Sequence, residues 1–298
     1  MQDSSVSGSS RLKTLRSLQQ IKDFAYSAMN NNQVTCIISI DIQNAFNSAD
    51  WQLLKSKIFT LNIPTSLKQI LSSFLEDRKV TLGEVVQDYN KGIPQGSCLG
   101  PILGNIFIND LLDLDLGQDS HIQAFADDIL IMFKAPATFH FSSTCTVPLN
   151  KVHSWIQNNN LHINSSKSFF TIVSKKNYTH IPNIKIGNHK IKYVKDFKYL
   201  GIKIDKKLSW NQHLSYVSDK LAKIMNKLNR TTRVYWGLSP PIKKEIYRKI
   251  LEKVITYGHE IWFKDQVKQN NKLSSLQRVG LLNITKCYRP LLLMHFRS

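Results

Sequence analysis

The chain has 298 residues, of which 42% are hydrophobic, so it can bury the core of one large domain or of two ordinary ones. It contains no run of about 18 apolar residues, which argues against a membrane-spanning helix, and its start lacks the apolar segment of a secretory signal. The four cysteines are scattered and form no C-x-x-C pair. This pattern argues against a disulfide framework or a structural zinc site and favours a reducing, intracellular environment.

The chain has a formal net charge of +19, and its positive charge is concentrated in the second half. Residues 1–150 carry 11 Lys and Arg against 14 Asp and Glu, a balance of −3. Residues 151–298 carry 29 against 7, a balance of +22. This polarity predicts that the second half binds a polyanion such as nucleic acid. The alternative is a basic face that only contacts solvent.

Helices and strands alternate in the predicted elements up to about residue 206. In chain order we predict a helix at 12–29, a buried strand at 34–42, helices at 51–59 and 64–78, a hairpin at 79–89 and a buried helix at 99–112. Two strands at 121–133, a helix within 147–164 and strands at 168–174, 183–187, 190–194 and 198–204 follow. The last predicted elements are helices at 213–233, 240–262 and 267–285. We therefore expect a mixed α+β body followed by a basic helical module.

Acidic residues lie at the ends of two predicted hydrophobic strands. Asp41 closes the strand "VTCIISID", and Asp127 and Asp128 lie inside the apolar run "QAFADDILIMF". Burying a carboxylate is costly, so these charges are either at an exposed hairpin tip or compensated by a cation. If the strands are neighbours in one sheet, three carboxylates meet at one edge, where two Mg²⁺ ions about 3.5–4 Å apart would keep them ionised. Magnesium takes few protein carboxylates and fills its shell with water and phosphates, which fits this set.

The segment "KGIPQGSCLGP", residues 91–101, predicts a tight glycine-rich loop that opens the following helix. Gly96 has no side chain, so a ligand could approach the backbone closely there. Gln95 offers both a donor and an acceptor to the edge of a base. The alternative is a structural turn before a buried helix.

In this order, these stretches resemble the reverse transcriptases of non-long-terminal-repeat (LINE-like, jockey-like) retrotransposons. "DIQNAF", "GIPQGSCLGP" with "IFINDLL", and "FADD" are similar to the first three palm motifs of that family. "NSSKS" is similar to its fourth motif, and "FKYLGIKIDKKLSWNQHL" to its fifth with the entry to the thumb. The resemblance implies an α+β right-hand polymerase fold, in which the palm is an antiparallel sheet backed by helices. Residues 1–33 would be a remnant of the fingers, 34–205 the palm, and 206–298 the helical thumb.

The resemblance also implies roles for individual residues. The catalytic site would consist of Asp41, Asp127 and Asp128, which would bind two Mg²⁺ ions, with Mn²⁺ as an alternative metal. Phe46 would be an aromatic gate that disfavours a 2′-hydroxyl, although spacing alone favours a core Phe. Lys167 would contact the triphosphate or donate a proton to pyrophosphate, and the alternative is a surface lysine. The other nucleotide-binding residues would be Gln95, Gly96 and Ser97, and the primer grip would be Tyr199, Leu200 and Gly201.

By this resemblance the chain would be an RNA-directed DNA polymerase that transfers nucleotides from dNTP to the 3′-hydroxyl of a primer during retrotransposition. Its partners would be an RNA template, a DNA primer and dNTP, and it would not bind a membrane. It would be located in the cytoplasm and the nucleus. Because residues 1–33 match only the last part of a fingers region, we expect a copy truncated at its N-terminus, with weak or absent activity. The main alternative is a catalytically inactive nucleic-acid-binding remnant. An RNA-dependent RNA polymerase fits less well, because the third motif is "FADD" rather than a Gly-Asp-Asp sequence. An intron-encoded maturase also fits less well, because "LQR" in the predicted thumb favours a retrotransposon.

Overall fold

The computed structural model describes residues 4–44, 46–89, 91–94, 96–126, 128–231 and 239–285, and the chain divides into two compact units. The sheet unit consists of residues 20–195, and the helical unit combines residues 1–19 with residues 196–298. The predicted limits of fingers, palm and thumb at residues 33 and 205 stay predictions. Within the described part of the chain, no helix has both the length and the apolar character needed to cross a membrane.

The sheet unit is a mixed α+β body, as the pattern of alternating elements predicts. It begins with residues 20–30 of α1 (Ser4–Asn30). Its other elements are, in chain order, β1 (Val34–Asp41), α2 (Trp51–Thr60), α3 (Thr65–Ser73), β2 (Lys79–Leu82), β3 (Val85–Asp88), α4 (Gly100–Leu112), β4 (Ser120–Phe125), β5 (Asp128–Ala135), α5 (Phe141–Thr144), α6 (Thr146–Asn158), β6 (Phe169–Val173), β7 (Lys185–Ile186), β8 (His189–Lys190) and β9 (Lys192–Tyr193). A 3₁₀ turn at Thr138–His140 connects β5 to α5.

Five strands of this unit form one sheet in the order β4-β5-β1-β6-β9. The pairs β4–β5, β5–β1 and β1–β6 are antiparallel, and the pair β6–β9 is parallel. In the register of the three inner strands, Ile38 faces Ile131 of β5 and Phe170 of β6. An antiparallel-rich sheet backed by helices is the palm-like architecture implied by the motifs, and the predicted α+β fold class is confirmed.

The central strand β1 is buried on both faces, which explains why its sequence is hydrophobic throughout. On one face, Cys36, Ile38 and Ile40 belong to the main core, together with buried residues of α2, α4 and α6. Helix α1 contacts the other face, where Lys134 of β5 donates to Ser27 at 3.1 Å and lies over the ring of Phe24. Because the strand has no solvent face, its β-branched residues pack on both sides of the sheet.

The helical unit contains a hairpin followed by helices. Its elements are β10 (Asp196–Tyr199), β11 (Ile202–Asp205), α7 (Asn211–Thr231), α8 (Pro240–Ile246), a π-helical turn (Tyr247–Leu251), α9 (Glu252–Thr256), α10 (His259–Trp262) and α11 (Val267–Thr285). Buried residues of α7 at helical spacing, Val217, Leu221 and Met225, pack with residues of the π-helical turn and form the core of this unit.

Two element predictions in the helical unit are wrong in detail. The strand predicted at 198–204 is a hairpin, because residues 200 and 201 both have positive φ. The helix predicted at 240–262 is interrupted after α9, where Tyr257 has an extended ψ of 120° and Gly258 a φ of 63°. A Cβ on Gly258 would approach Ile202 of β11 to 2.6 Å, so close packing against the hairpin explains both the glycine and the break.

Candidate active site

Two predicted acidic residues face each other where inner strands of the sheet end. β1 ends at Asp41, β5 begins at Asp128, and these residues are partners in the antiparallel register. On the other side of β5, Asp128 pairs with Phe125, so only two residues connect β4 to β5. The third predicted carboxylate, Asp127, is one of these two and lies outside the described residues. The facing positions of Asp41 and Asp128 are the juxtaposition that the predicted metal site requires.

The other connecting residue, Ala126, has a left-handed backbone with a φ of 56°. This conformation costs a residue with a Cβ about 1–2 kcal/mol. Strain of this kind persists where the surrounding structure holds it, and it is concentrated at functional turns. The left-handed conformation of Ala126 is therefore held by the pairing of β4 with β5 rather than by the preference of alanine.

The facing carboxylates can supply ligands to a divalent cation. Asp41 is half-buried and Asp128 is exposed. Among the residues that the structure describes, no three His, Cys, Asp or Glu side chains gather into a metal site. Two facing carboxylates repel each other, and a bound cation removes that repulsion. Such a pair fits Mg²⁺, which takes few protein oxygens and completes its shell with water and substrate phosphates.

A turn at residues 164–168 holds the backbone of Asp41 from both sides. The Asp41 N–H donates to Ser168 Oγ at 3.0 Å, and the Asp41 carbonyl accepts from Asn164 N at 2.8 Å. The Ser168 hydroxyl donates in turn to the Asn164 carbonyl at 2.8 Å. Lys167, the predicted triphosphate contact, is exposed on this turn. Ser168 was not among the predicted site residues, although a polar turn sequence directly before a buried strand was a usable signal.

Phe46, the predicted aromatic gate, is half-buried against helix α4. Its ring lies over Gly104, since a Cβ placed on that glycine would be 2.8 Å from Phe46 Cε1. The Phe46 carbonyl accepts from Ile93 N at 2.6 Å, and Trp51 Nε1 donates to the Gly92 carbonyl at 2.6 Å. These bonds fix the start of the glycine-rich loop to the segment that follows Asp41. Phe46 also packs against the main core, the arrangement that spacing alone favoured.

The rest of the glycine-rich loop leads into α4. Gly96 has a φ of 82°, and a Cβ there would meet no atom of the described residues within 4 Å, so the backbone conformation accounts for the glycine. Ser97 Oγ accepts from Leu99 N at 3.2 Å, so this hydroxyl closes a local turn of the loop directly before α4. Gln95, the predicted contact to a base edge, lies outside the described residues.

In the helical unit, the predicted primer-grip residues form the tip of the β10–β11 hairpin. Tyr199 pairs with Ile202, so Leu200 and Gly201 are the two turn residues, with φ values of 46° and 85°. Positive φ at both positions is typical of the type I′ turn, which closes an antiparallel hairpin tightly. The Tyr257 hydroxyl donates to the Leu200 carbonyl at 2.8 Å. This contact fixes the tip of the hairpin to the break between α9 and α10.

A basic cavity of about 400 Å³ lies beside the same hairpin, within the helical unit. Its lining includes four lysines, Lys198, Lys220, Lys249 and Lys253. Lys198 Nζ lies 5.1 Å from the centre of the Tyr216 ring, and its hydrogen bond lowers the pKa of the Tyr216 hydroxyl. One of the four lysines, Lys249, pairs with Glu245 at 2.7 Å. The excess of cations makes this cavity attractive to phosphate groups.

His213 contributes a buried imidazole to the lining of this cavity. The ring is 1% exposed, and its Nδ1 accepts from Lys203 N at 3.3 Å. Its Nε2 has no hydrogen-bond partner within the described part of the chain. Burial lowers the pKa of His213 to about 4, so the ring is neutral at physiological pH.

Comparisons with known proteins assign the chain to a family. Residues 5–204 match the family described as reverse transcriptase (RNA-dependent DNA polymerase). The chain is 27% identical over 294 residues to the RNA-directed DNA polymerase from mobile element jockey of Drosophila melanogaster, covering 91% of this chain and 31% of that protein. It is 26% identical over 234 residues to a retrovirus-related Pol polyprotein from type-1 retrotransposable element R1 of Bradysia coprophila, covering 76% and 23%. The chain thus spans about a third or less of the length of these curated relatives.

A solved structure shares the fold. Telomerase from Candida albicans, in complex with the TWJ fragment of telomeric RNA, aligns with a TM-score of 0.52 at 11% sequence identity. The alignment covers 92% of this chain and 51% of the telomerase chain. The resemblance to retrotransposon reverse transcriptases that the motifs predicted is confirmed by the family match and the curated relatives. The chain belongs to the reverse transcriptase family of RNA-dependent DNA polymerases.

Proposed function

We propose that the chain carries the polymerase activity of a retrotransposon reverse transcriptase, adding dNTP to the 3′-hydroxyl of a DNA primer paired with an RNA template. Membership of the family and similarity to the jockey polymerase support this reaction class. The observation that carries the proposal is the facing pair Asp41 and Asp128 at the ends of two adjacent buried strands. A facing pair of carboxylates at the end of two strands can share a cation, which removes their mutual repulsion.

The metal site would consist of Asp41, Asp127 and Asp128, with two Mg²⁺ ions or with Mn²⁺. When bound, such ions favour deprotonation of the primer hydroxyl and neutralise charge on the leaving pyrophosphate. Asp41 would supply carboxylate oxygens from a backbone held on both sides by hydrogen bonds. Asp128, the first residue of β5 and the register partner of Asp41, would also supply carboxylate oxygens.

The nucleotide would bind next to these carboxylates. The half-exposed ring of Phe46 would contact the sugar and disfavour a 2′-hydroxyl, while the exposed Lys167 would meet the triphosphate. Gln95 and the open backbone at Gly96 would face the template base and the incoming nucleotide. Ser97 would contribute by shaping the loop, because its hydroxyl bonds within the loop to Leu99 N.

The helical unit would bind the primer and template through phosphates. Residues 199–201 would form the primer grip, and the basic cavity beside them offers the cations that a phosphate backbone requires. Binding of this kind is insensitive to base sequence and weakens steeply as salt concentration rises.

Primer extension on a primed RNA template tests the proposal. We expect slow, Mg²⁺-dependent dNTP incorporation by the chain, and a loss of about 100-fold or more in Asp41→Asn and Asp128→Asn, because a metal ligand contributes several kcal/mol to transition-state stabilisation. Asp113→Asn is the matched control, since this carboxylate follows α4 and accepts a hydrogen bond from the Asn109 amide at 3.4 Å. Salt-sensitive primer–template binding without any incorporation would contradict the polymerase and favour the inactive remnant. Equal use of rNTP and dNTP would contradict the DNA-polymerase assignment.

A further inference from the structure

The pairing of β1 with β6 stops two residues before Asp41. The last register pair is Ser39 with Phe169, and the chain before β6 then turns away from β1 at residues 164–168. Pairing resumes beyond the turn, where Ile42 bridges to Ile163. The five residues 164–168 thus lie opposite only Ile40 and Asp41, an extended bulge that interrupts the ladder at Asp41.

Ser168 closes the gap that the bulge leaves in the ladder. Its hydroxyl accepts from the Asp41 N–H at 3.0 Å, which is the bond that a strand carbonyl would otherwise make. It also donates to the Asn164 carbonyl at 2.8 Å, and Asn164 N donates to the Asp41 carbonyl at 2.8 Å. Both backbone groups of Asp41 are thus held by a closed ring of three hydrogen bonds through one side chain.

The burial of Ser168 makes this ring a strong constraint. The residue is 1% exposed, so water cannot replace its hydroxyl when it is lost. Its neighbour Ser166 bonds to the side chain of the same Asn164 at 2.7 Å but is exposed and makes no contact with Asp41 in the ring. The two serines therefore differ in their contact with the Asp41 backbone, which only Ser168 of the two makes.

We propose that Ser168 is a positioning residue for the metal site, which acts by fixing the backbone of Asp41 and with it the aim of the Asp41 carboxylate. This inference rests on the proposed function, because it assigns Asp41 to metal binding. Loss of the Ser168 hydroxyl would leave the Asp41 N–H without its partner and allow the end of β1 to move relative to Asp128. Divalent cations would then bind more weakly even in a folded protein.

The test is a titration with Mn²⁺, in which the electron paramagnetic resonance signal of free Mn²⁺ reports binding to the whole chain. We expect Ser168→Ala to weaken Mn²⁺ binding about tenfold, the effect of losing one buried hydrogen bond, and Ser166→Ala to bind like the unmodified protein. The Mg²⁺ concentration for half-maximal incorporation should rise by a similar factor in Ser168→Ala. Ser168→Cys, which keeps the volume but accepts hydrogen bonds weakly, should bind Mn²⁺ with intermediate affinity and covers the case in which the alanine variant does not fold.

The outcomes separate the inference from the function on which it rests. If Asp41→Asn loses Mn²⁺ binding while the folded Ser168 variants keep it unchanged, the positioning role is wrong and the metal site stands. If Asp41→Asn binds Mn²⁺ as well as the unmodified chain does, the proposed metal site is wrong and the positioning role falls with it. A lower unfolding temperature of Ser168→Ala with unchanged Mn²⁺ binding would show a purely structural serine and would also overturn the inference.

Discussion

Replacing Gly104 of α4 by alanine should move the ring of Phe46 and so disturb the proposed nucleotide site without changing a predicted metal ligand. The new methyl group would lie 2.8 Å from Phe46 Cε1, with two further ring carbons at 3.4 and 3.5 Å. Carbon atoms prefer separations of about 3.5–4.0 Å, so the ring must move by about 0.7 Å or more. The ring is half-buried and can move only by disturbing the core contacts that it makes.

The expected stability change has two parts of opposite sign. Alanine is favoured over glycine inside a helix by about 1 kcal/mol. Forcing an extra methyl group against a packed ring costs about 1–3 kcal/mol. Gly104→Ala should therefore lower the free energy of unfolding by up to about 2 kcal/mol. In a Phe46→Ala background the clash is absent, and the same change should raise that free energy by about 1 kcal/mol.

Chemical denaturation of the unmodified chain, both single variants and the double variant measures this coupling directly. In primer extension, displacement of the ring in Gly104→Ala should lower kcat/KM for dNTP by about tenfold or more, since small misplacements near reacting groups are costly. Phe46→Ala should relax discrimination against rNTP, and the double variant should behave like Phe46→Ala. An identical effect of Gly104→Ala on stability in both backgrounds would refute the reasoning, because the methyl group would then not meet the ring.

Three further changes have expected outcomes. Ala126→Gly relieves the left-handed backbone and should raise the free energy of unfolding by about 0.5–1 kcal/mol in chemical denaturation, and a decrease would contradict the assigned strain. Changing Lys198 and Lys220 together to Gln should weaken primer–template binding and reduce its logarithmic salt slope by about 2, whereas Lys55→Gln, in the sheet unit, should leave the slope unchanged. Because burial lowers the pKa of His213 to about 4 from the usual 6.5, the unfolded chain binds a proton that the folded chain excludes. Stability should therefore fall by about 1.4 kcal/mol per unit as pH drops from about 6.5 to 4, and His213→Gln should flatten this dependence; an unchanged slope in that variant would show that another group titrates.

The sequence predicted the sheet unit well because local pattern and tertiary role coincide there. The strand "VTCIISID" is buried on both faces, so its hydrophobic run and its closing Asp41 could both be recognised from the residues alone. The strand after Asp127, β5, is buried along most of its length and was predicted for the same reason. The identity of the family followed from the order of the motifs, and the family match confirmed it.

The hairpin at 196–205 and the helix break at 257–258 were not predicted, because their cause is packing between distant segments. "YLGI" carries no Asn-Gly or Asp-Gly signal, and Leu200 takes a positive φ at the hairpin tip, where its carbonyl accepts from Tyr257. The glycine at 258 could have been taken as the end of a helix. Its physical cause, the close approach of Ile202, is visible only in the tertiary structure. Gly104 is similar, because a glycine in an apolar helix indicates a close neighbour, but the sequence does not show that this neighbour is Phe46.

The sequence by itself determined the family, the fold class and the residue types at the end of each strand, because these depend on hydrophobic pattern and on motifs that are contiguous in the chain. The tertiary structure decided the partners: Asp128 across the sheet from Asp41, Ser168 behind it and Gly104 beneath Phe46. These contacts join residues separated by tens of positions or more, and their geometry follows from strand register and helix packing. The hydrophobic pattern of one strand decides which of its faces is buried, but it does not name the strand that will lie beside it.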